Sequence, residues 1–234
     1  MVSILDVLYP KRCFACGKFG TYICMLCRKK ILVLEKDVCP YCEKSSLLGW
    51  THPRCQRDGG VDGLRSVYIY GFVIQKIIKS IKYRSIRGGI KEILKTFPKD
   101  KVTSITDYYQ EMSDAVILPV PLHKNRIKMR GFNQSTEIAR HLGPVIGIPI
   151  RQTLVQRTRE TFPQAQLQSR QERFQNIRGA FSLNLPAGEN APTTVIIVDD
   201  VWTSGSTMKE IARVLKRNGV QKVLAFTIAR QNRV

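Results

Sequence analysis

Long apolar runs, acidic residues and, beyond residue 55, cysteine are scarce in this sequence. The longest apolar run, from Ala115 to Leu122, has eight residues and contains two prolines, whereas a membrane-spanning helix needs roughly 20 apolar residues. We therefore expect no membrane span. The start of the chain has no basic leader, and Asp6 interrupts its short apolar stretch. A secretory signal is therefore not expected either, and we expect a cytoplasmic protein.

The scarcity of acidic residues leaves a large positive charge. The 234 residues include 18 Asp and Glu against 38 Lys and Arg, which gives a formal net charge of +20. With 43% hydrophobic and 24% charged residues, the composition is that of an ordinary globular protein of one large domain, or of one medium and one small domain. The charge suggests a polyanionic partner, which could be nucleic acid, a phosphate-rich metabolite or an anionic membrane surface. A general basic bias of the source proteome is the plain alternative.

The absence of cysteine from most of the chain indicates two modules. All seven cysteines lie in the first 55 residues, and the remaining 179 residues have none. We predict a zinc-ribbon domain over residues 1–60 and a second domain over residues 61–234, with the boundary at the polar turn from Arg57 to Gly60. The first module carries ten basic and five acidic residues, a net charge of +5, so the second carries +15.

Pairs of ligand residues separated by two positions are typical of zinc knuckles, and this sequence has four such pairs. Two knuckles complete one tetrahedral shell. Combination in chain order would give one site of four cysteines and one of three cysteines and a histidine, although interleaved pairing remains open. Disulfides are disfavoured by the odd number of cysteines and by the lack of an export signal. We predict one or two structural Zn²⁺ ions, whose ligands are Cys13, Cys16, Cys24, Cys27, Cys39, Cys42, His52 and Cys55.

Strand-like and helix-like segments alternate beyond residue 60. This alternation predicts an α/β fold with a mostly parallel sheet flanked by helices. The predicted strands are Val67–Phe72, Ala115–Val120, Thr194–Val198 and Val223–Ala229. The predicted helices are marked by Ile74–Ile81, by Ile90–Phe97 up to Pro98, by Gln134 to a stop at Gly143–Pro144, and by Thr207–Asn218.

The sharpest motif of the second module runs from Val195 to Thr207 and reads VIIVDDVWTSGST. An apolar strand ends in two carboxylates, and a turn rich in hydroxyl groups leads into a helix, for which we predict a capping box of Thr207 and Glu210. Parallel sheets bind ligands at the carboxyl ends of their strands, and helix N-termini bind phosphate. The motif lacks the lysine of a Walker loop and the three glycines of a Rossmann fingerprint.

The predicted roles divide this motif into two parts. The two adjacent carboxylates would accept hydrogen bonds from ribose hydroxyls, and the turn would surround a phosphate with backbone N–H groups and hydroxyls. A purely structural turn would not need two adjacent carboxylates, because their repulsion and desolvation have to be offset. The predicted ligand contacts are Asp199, Asp200, Thr203, Ser204, Gly205, Ser206 and Thr207.

This string resembles the phosphoribosyl-pyrophosphate motif of type I phosphoribosyltransferases. Two further stretches, Leu118–Leu122 followed by Arg130–Ser135, and Arg157–Thr161, narrow the likeness. Together with the cysteine-rich segment, they make the whole chain similar to the ComF family of competence proteins. The resemblance implies a type I phosphoribosyltransferase fold behind a zinc ribbon. It also implies a role in natural transformation, in which the protein would handle incoming single-stranded DNA in the cytoplasm.

Two other functions stay open at this stage. The chain could be an active phosphoribosyltransferase that displaces pyrophosphate from Mg²⁺-bound phosphoribosyl pyrophosphate, with an unknown acceptor and no assignable catalytic residue. It could also be a docking module whose ribbon recruits other DNA-uptake proteins.

The resemblance further implies that the loop after Pro121 binds pyrophosphate and that residues 157–176, here called the hood, close over the ligand.

Positive charge is concentrated around these two segments. Residues 121–180 contain eleven Lys and Arg against three Glu, a net charge of +8, which is more than one pyrophosphate can use and favours a nucleic-acid backbone as a second ligand. Phe132, Phe162 and Phe174 either stack on bases or belong to the core, and for Trp202 we favour the core. The cations predicted to bind pyrophosphate or to form a nucleic-acid patch are Lys124, Arg126, Arg130, Arg157, Arg159 and Arg173.

Overall fold

The computed structural model describes residues 10–83, 86, 88–112, 114–162 and 164–231, so the predicted absence of a leader around Asp6 lies outside the described residues. Its strands are β1 (Gly63–Ile69), β2 (Ala115–Pro119), β3 (Val155–Arg157), β4 (Phe181–Leu183), β5 (Thr194–Trp202) and β6 (Lys222–Arg230). In the described residues, four of them form a parallel sheet in the order β1-β6-β5-β2, and β3 pairs with β4 in an antiparallel hairpin. The predicted parallel α/β fold is confirmed.

Helices cover both faces of this sheet. Because the apolar run of β5 is buried on both sides, Ile196 and Val198 belong to one layer of the core and Val195 and Ile197 to the other. None of the helices in the described part of the chain has the length and apolar character that a membrane crossing requires. The helices are α1 (Met25–Arg28), α2 (Phe72–Tyr83), α3 (Gly88–Leu94), α4 (Lys99–Gln110), α5 (Lys124–Arg130), α6 (Gln134–Ile146), α7 (Arg170–Ile177) and α8 (Ser206–Arg217).

Several predicted boundaries were wrong. The first strand ends at Ile69, because Phe72 already belongs to α2. Helix α6 continues through Pro144, which lies in its last turn, and ends at Gly147 in the left-handed conformation with φ of 70°. Helices α4 and α5 were not predicted, because neither has a broad apolar stripe. Helix α5, for example, has the sequence KNRIKMR, in which only two of seven residues are apolar.

The cysteine-rich segment packs directly on the sheet. The N–H of Leu34 donates to the carbonyl of Val67, and the N–H of Ile69 donates to the carbonyl of Leu32, both at 2.9 Å. The segment therefore covers the edge of β1, which would otherwise expose unpaired backbone groups. Phe14 is buried in the same apolar layer as the helices on that side. The two modules predicted from the sequence thus share part of one core.

Candidate functional site

The ligand pairs combine in chain order into two groups, each of which could hold a metal ion. Cys13, Cys16, Cys24 and Cys27 form one group, and Cys39, Cys42, His52 and Cys55 form the other. Within each group the potential ligand atoms all lie within 4.8 Å of one another. Four soft donors at this spacing suit tetrahedral Zn²⁺, and a shell closed by four protein ligands is structural rather than catalytic.

Hydrogen bonds orient these ligands for a metal. In the second group, His52 Nε2 lies 3.0 Å from the carbonyl oxygen of Ser45, and His52 Nδ1 lies 3.3 Å from Cys42 Sγ. Donation from Nε2–H to the carbonyl leaves the lone pair of Nδ1 for the ion. In the first group, burial opposes ionisation of Cys13, but backbone N–H groups, that of Cys24 foremost, lower its pKa to about 6. Both donor sets therefore fit structural zinc.

The turn between β5 and α8 forms one wall of an open cleft of about 430 Å³. The prediction that Thr207 and Glu210 form a capping box was wrong: α8 begins at Ser206, and Gly205, with φ of 70°, is its N-cap residue. The hydroxyls of Ser204 and Ser206 lie 3.0 Å apart. Ser204, Ser206 and Thr207 line the cleft, so the N-terminus of the helix lies at its edge.

Glu210 has a different role from the predicted cap. Its fully buried carboxylate accepts a hydrogen bond of 2.7 Å from the N–H of Gly179 and pairs with the guanidinium of Arg213. Gly179 lies just beyond the end of the hood. Glu210 therefore ties the base of the hood to the helix that follows the turn.

The two carboxylates lie at the end of β5, on the floor of the cleft. Asp199 accepts hydrogen bonds from the Ser135 hydroxyl at 2.8 Å and from the N–H of Asp200 at 2.9 Å. Burial and the neighbouring Asp200 raise the pKa of Asp199 to about 6. Asp200 forms an ion pair of 2.6 Å with Lys82, whose pKa is lowered by burial but raised overall by the two carboxylates. Lys82, at the end of α2, thus neutralises the acidic floor.

Cations form the opposite wall. Of the six predicted cations, Arg126, Arg130, Arg157 and Arg173 line the cleft, and burial lowers the pKa of Arg157 to about 10. Lys124 is exposed on α5 and does not line it. Arg159 does not line it either. Its guanidinium instead donates to the backbone carbonyls of Asn176 and Arg178, at 3.0 and 2.9 Å.

Two buried donors of the cleft have no hydrogen-bond partner within the described ranges. Gln134 is 3% exposed and accepts from Arg130 through Oε1 at 3.3 Å, which leaves its Nε2 unpaired; the other donor is Nε of Arg157. Unpaired buried donors cost free energy unless a ligand or water satisfies them. The cleft therefore offers unused donors on its basic side and unused acceptor capacity on its acidic floor.

Comparison with known proteins supports a zinc ribbon followed by a phosphoribosyltransferase-like domain. The phosphoribosyl transferase domain model matches residues 127–233, and the double zinc ribbon domain model matches residues 4–60. The DNA utilization protein YhgH of Shigella flexneri is 31% identical, over 94% of this chain and 97% of its own. The chain belongs to the ComF family of competence and DNA utilization proteins.

Other members are similarly distant from this ComF-family chain. Competence protein F of Haemophilus influenzae is 27% identical over 91% of this chain and 98% of its own, and competence protein ComFC of Bacillus subtilis is 26% identical over 89% and 84%. Among solved structures, a purine phosphoribosyltransferase from Pyrococcus horikoshii aligns with 57% of this chain and 74% of its own, at 14% identity and a TM-score of 0.31.

The aromatic residues of this ComF-family chain divide into two groups. Trp202 and Phe132 are buried, so the prediction that Trp202 belongs to the core agrees with the structure. Phe162 and Phe174 of the hood are 74% and 44% exposed. A large exposed aromatic ring on a basic segment is suited to stacking on a nucleobase.

Sequence reasoning missed three groups of the cleft. Lys82 directly follows the predicted helical segment Ile74–Ile81, and nothing in that pattern indicates which carboxylate it meets. Gln134 and Ser135 were quoted only as part of a family motif. A polar pair at the N-terminus of α6, next to a capping Asn133 whose side chain accepts from the N–H of Ser135 at 3.0 Å, is the signal that could have drawn attention to them.

Proposed function

We propose that this ComF-family chain acts in the cytoplasm on incoming DNA, that its cleft binds a phosphoribosyl-pyrophosphate-type ligand, and that its basic face binds single-stranded DNA. The observation that supports the cleft ligand is the division of the cleft into an acidic floor and a basic wall with unpaired donors. A sugar with vicinal hydroxyls, a 5′-phosphate and a pyrophosphate is complementary to both.

The ligand would make three kinds of contact. Its 5′-phosphate would lie at the N-terminus of α8, against the hydroxyls and N–H groups of residues 203–207. Its ribose hydroxyls would donate to Asp199 and Asp200, in competition with Ser135 and Lys82. Its pyrophosphate would lie against the arginines of the opposite wall, and Mg²⁺ bound with it would neutralise further charge.

Replacement of either carboxylate tests this arrangement. We expect Asp199→Asn and Asp200→Asn each to weaken the binding of phosphoribosyl pyrophosphate about 10- to 100-fold, because a hydrogen bond to a charged group contributes about 1.5–3 kcal/mol. Isothermal titration calorimetry in the presence of Mg²⁺ measures the affinities.

Asp58→Asn is the matched control, since Asp58 is exposed and does not line the cleft. Its affinity should equal that of the unmodified chain. Failure of the unmodified chain to bind the ligand, or binding by both cleft variants as tight as that of the unmodified chain, would reject the phosphoribosyl site.

The proposed DNA surface joins α5 to the hood. Lys124 and Lys128 are exposed one turn apart on α5. Two hydrogen bonds connect this helix with the hood: Asn125 donates to Glu160 at 2.6 Å, and Arg126 donates to the carbonyl of Thr161 at 2.8 Å. The exposed ring of Phe162 follows directly. Regularly placed cations beside exposed aromatic rings match the alternation of phosphates and bases in a single strand.

Salt dependence tests the DNA surface. Each phosphate contact on a single strand contributes about −0.7 to the slope of log K against log salt concentration. We expect the double variant Lys124→Gln/Lys128→Gln to reduce the magnitude of this slope by about 1.4. Fluorescence anisotropy with a labelled 20-nucleotide oligomer, from 50 to 300 mM NaCl, gives the slopes.

Lys91→Gln/Lys95→Gln is the matched control, with the same charge change at the same spacing; Lys91 lies on α3, Lys95 directly follows its end, and both are exposed. It should leave the slope unchanged. A salt-independent affinity of the unmodified chain would contradict nucleic-acid binding, and equal slopes for the two double variants would place the DNA elsewhere.

Transferase activity is the second candidate. The specific observation in its favour is that two carboxylates lie on the floor of the cleft and four arginines on one of its walls. This arrangement suits stabilisation of a ribosyl cation by the carboxylates and of the leaving pyrophosphate by the arginines. Release of pyrophosphate from phosphoribosyl pyrophosphate on addition of nucleobases or amines would support it. No release with any acceptor, together with tight ligand binding, would leave the binding function alone.

A further inference from the structure

Lys209 occupies an unfavourable position for a cation. It lies in the first turn of α8, where the helix dipole favours negative charge, and burial lowers its pKa to about 8, with the charges of Arg170 and Arg57 adding to the effect. Its Nζ donates to the carbonyl of Ser204 at 3.2 Å. This hydrogen bond links Lys209 to the backbone of the turn that we propose binds phosphate.

The nearest aromatic ring to Lys209 is that of Tyr41, which lies in the segment of the second metal group. Nζ of Lys209 lies 4.7 Å from the centre of the Tyr41 ring, and a desolvated ammonium is attracted to an aromatic face. Tyr41 lies between the ligands Cys39 and Cys42, and its hydroxyl accepts a hydrogen bond from the N–H of Val61 at 2.9 Å. The flanking metal ligands and this hydrogen bond position the ring. It is the nearer of two rings beside Nζ of Lys209, since the centre of the Trp202 ring lies 5.4 Å away.

The same knuckle also reaches the hood. Glu43, one residue after Cys42, forms an ion pair of 2.6 Å with Arg170. Arg170 is the first residue of α7, and Arg173 of that helix lines the cleft. Two neighbouring side chains of one zinc knuckle thus contact the phosphate-binding turn through Lys209 and the hood through Arg170.

We propose that Tyr41 and Glu43 are positioning residues of the cleft, which hold the phosphate-binding turn and the hood at the separation that the ligand requires. The second zinc ribbon is then part of the ligand site, although it does not touch the ligand. This proposal rests on the phosphoribosyl-pyrophosphate site proposed above.

Two substitutions of Tyr41 test the first contact. Tyr41→Leu removes the aromatic face, and we expect the affinity for phosphoribosyl pyrophosphate to fall roughly tenfold. Tyr41→Phe retains the face and loses only the hydroxyl, so its affinity should stay within about twofold of the unmodified chain. Zinc content of both variants, measured by mass spectrometry, confirms that the ribbon is intact. Equal affinity of Tyr41→Leu and the unmodified chain would overturn the proposal.

A charge exchange tests the second contact. Glu43→Arg should weaken ligand binding, and the double variant Glu43→Arg/Arg170→Glu should restore it. Glu35→Arg, at an exposed position of the cysteine-rich segment, is the control and should have no effect. No loss in Glu43→Arg, or a loss without restoration, would overturn this part.

Amide hydrogen exchange separates this proposal from the proposed ligand. In the ligand-free protein, Tyr41→Leu should accelerate exchange in residues 203–208, and Glu43→Arg should accelerate it in residues 170–177. Faster exchange in a protein that does not bind phosphoribosyl pyrophosphate would reject the ligand but retain the positioning role. Unchanged exchange would reject the positioning role.

Discussion

Removal of the metal ions with an excess of chelator should unfold residues 10–60 and lower the stability of the whole chain. Structural zinc in small ribbons contributes about 10–16 kcal/mol of apparent binding free energy at neutral pH, which is the largest effect that we expect. This segment also covers the edge of β1 and contributes Phe14 to the core, so the loss should not stay local. Differential scanning calorimetry and circular dichroism measure it.

Several outcomes decide this prediction. Zinc released by the chelator should approach two equivalents per chain, and re-addition of Zn²⁺ under reducing conditions should restore the melting temperature. Mg²⁺ added to the chelated protein is the control and should restore nothing, because thiolates prefer softer ions. An unchanged melting curve after complete loss of zinc would show that the ribbon folds without metal.

Gly205→Ala should destabilise the chain by about 3 kcal/mol and prevent ligand binding. The left-handed backbone at this position costs a non-glycine residue about 1–2 kcal/mol, and an added methyl group would overpack a dense site at a further cost of about 1–3 kcal/mol. The Cβ would lie 2.2 Å from Cζ2 of Trp202. Either the indole ring or the turn must move, and the turn carries the groups that we propose bind phosphate.

Gly147→Ala is the matched control for the steric part of this effect. Gly147 has the same φ of 70°, and a Cβ there would meet nothing within 4 Å, so only the backbone cost of about 1–2 kcal/mol should appear. Urea denaturation at 25 °C gives both free energies of unfolding. Equal values for the two variants would mean that Trp202 yields without cost, and retained ligand affinity in Gly205→Ala would show that the turn tolerates the change.

The motifs that were predictable from the sequence are those with local causes. A zinc knuckle depends on a two-residue spacing, and the run from Val195 to Thr207 combines a buried strand, two carboxylates and a turn within 13 residues. The prediction of a capping box of Thr207 and Glu210 was wrong because it used only the local pattern. The Glu210 carboxylate instead accepts from the N–H of Gly179, which is distant in the sequence, and pairs with Arg213 on the same helix.

Exposure and pairing of single side chains required the tertiary structure. Phe132, Phe162 and Phe174 look alike in the sequence, yet only Phe132 is buried. Lys124 and Arg126 are two residues apart, yet only Arg126 faces the cleft, because neighbours at that spacing point to different sides of a helix.

By itself, the sequence predicted the paired metal-ligating residues, the parallel α/β class and the turn that we propose binds phosphate in this ComF-family chain, since each is encoded in a short stretch by spacing or by periodicity. Only the tertiary structure decided that Lys82 neutralises Asp200, that the metal pairs combine in chain order, and that Tyr41 and Glu43 of the ribbon reach the turn and the hood. These contacts join residues between 8 and 168 positions apart. No local pattern specifies such a pair, because its geometry depends on how the sheet, the helices and the ribbon pack together.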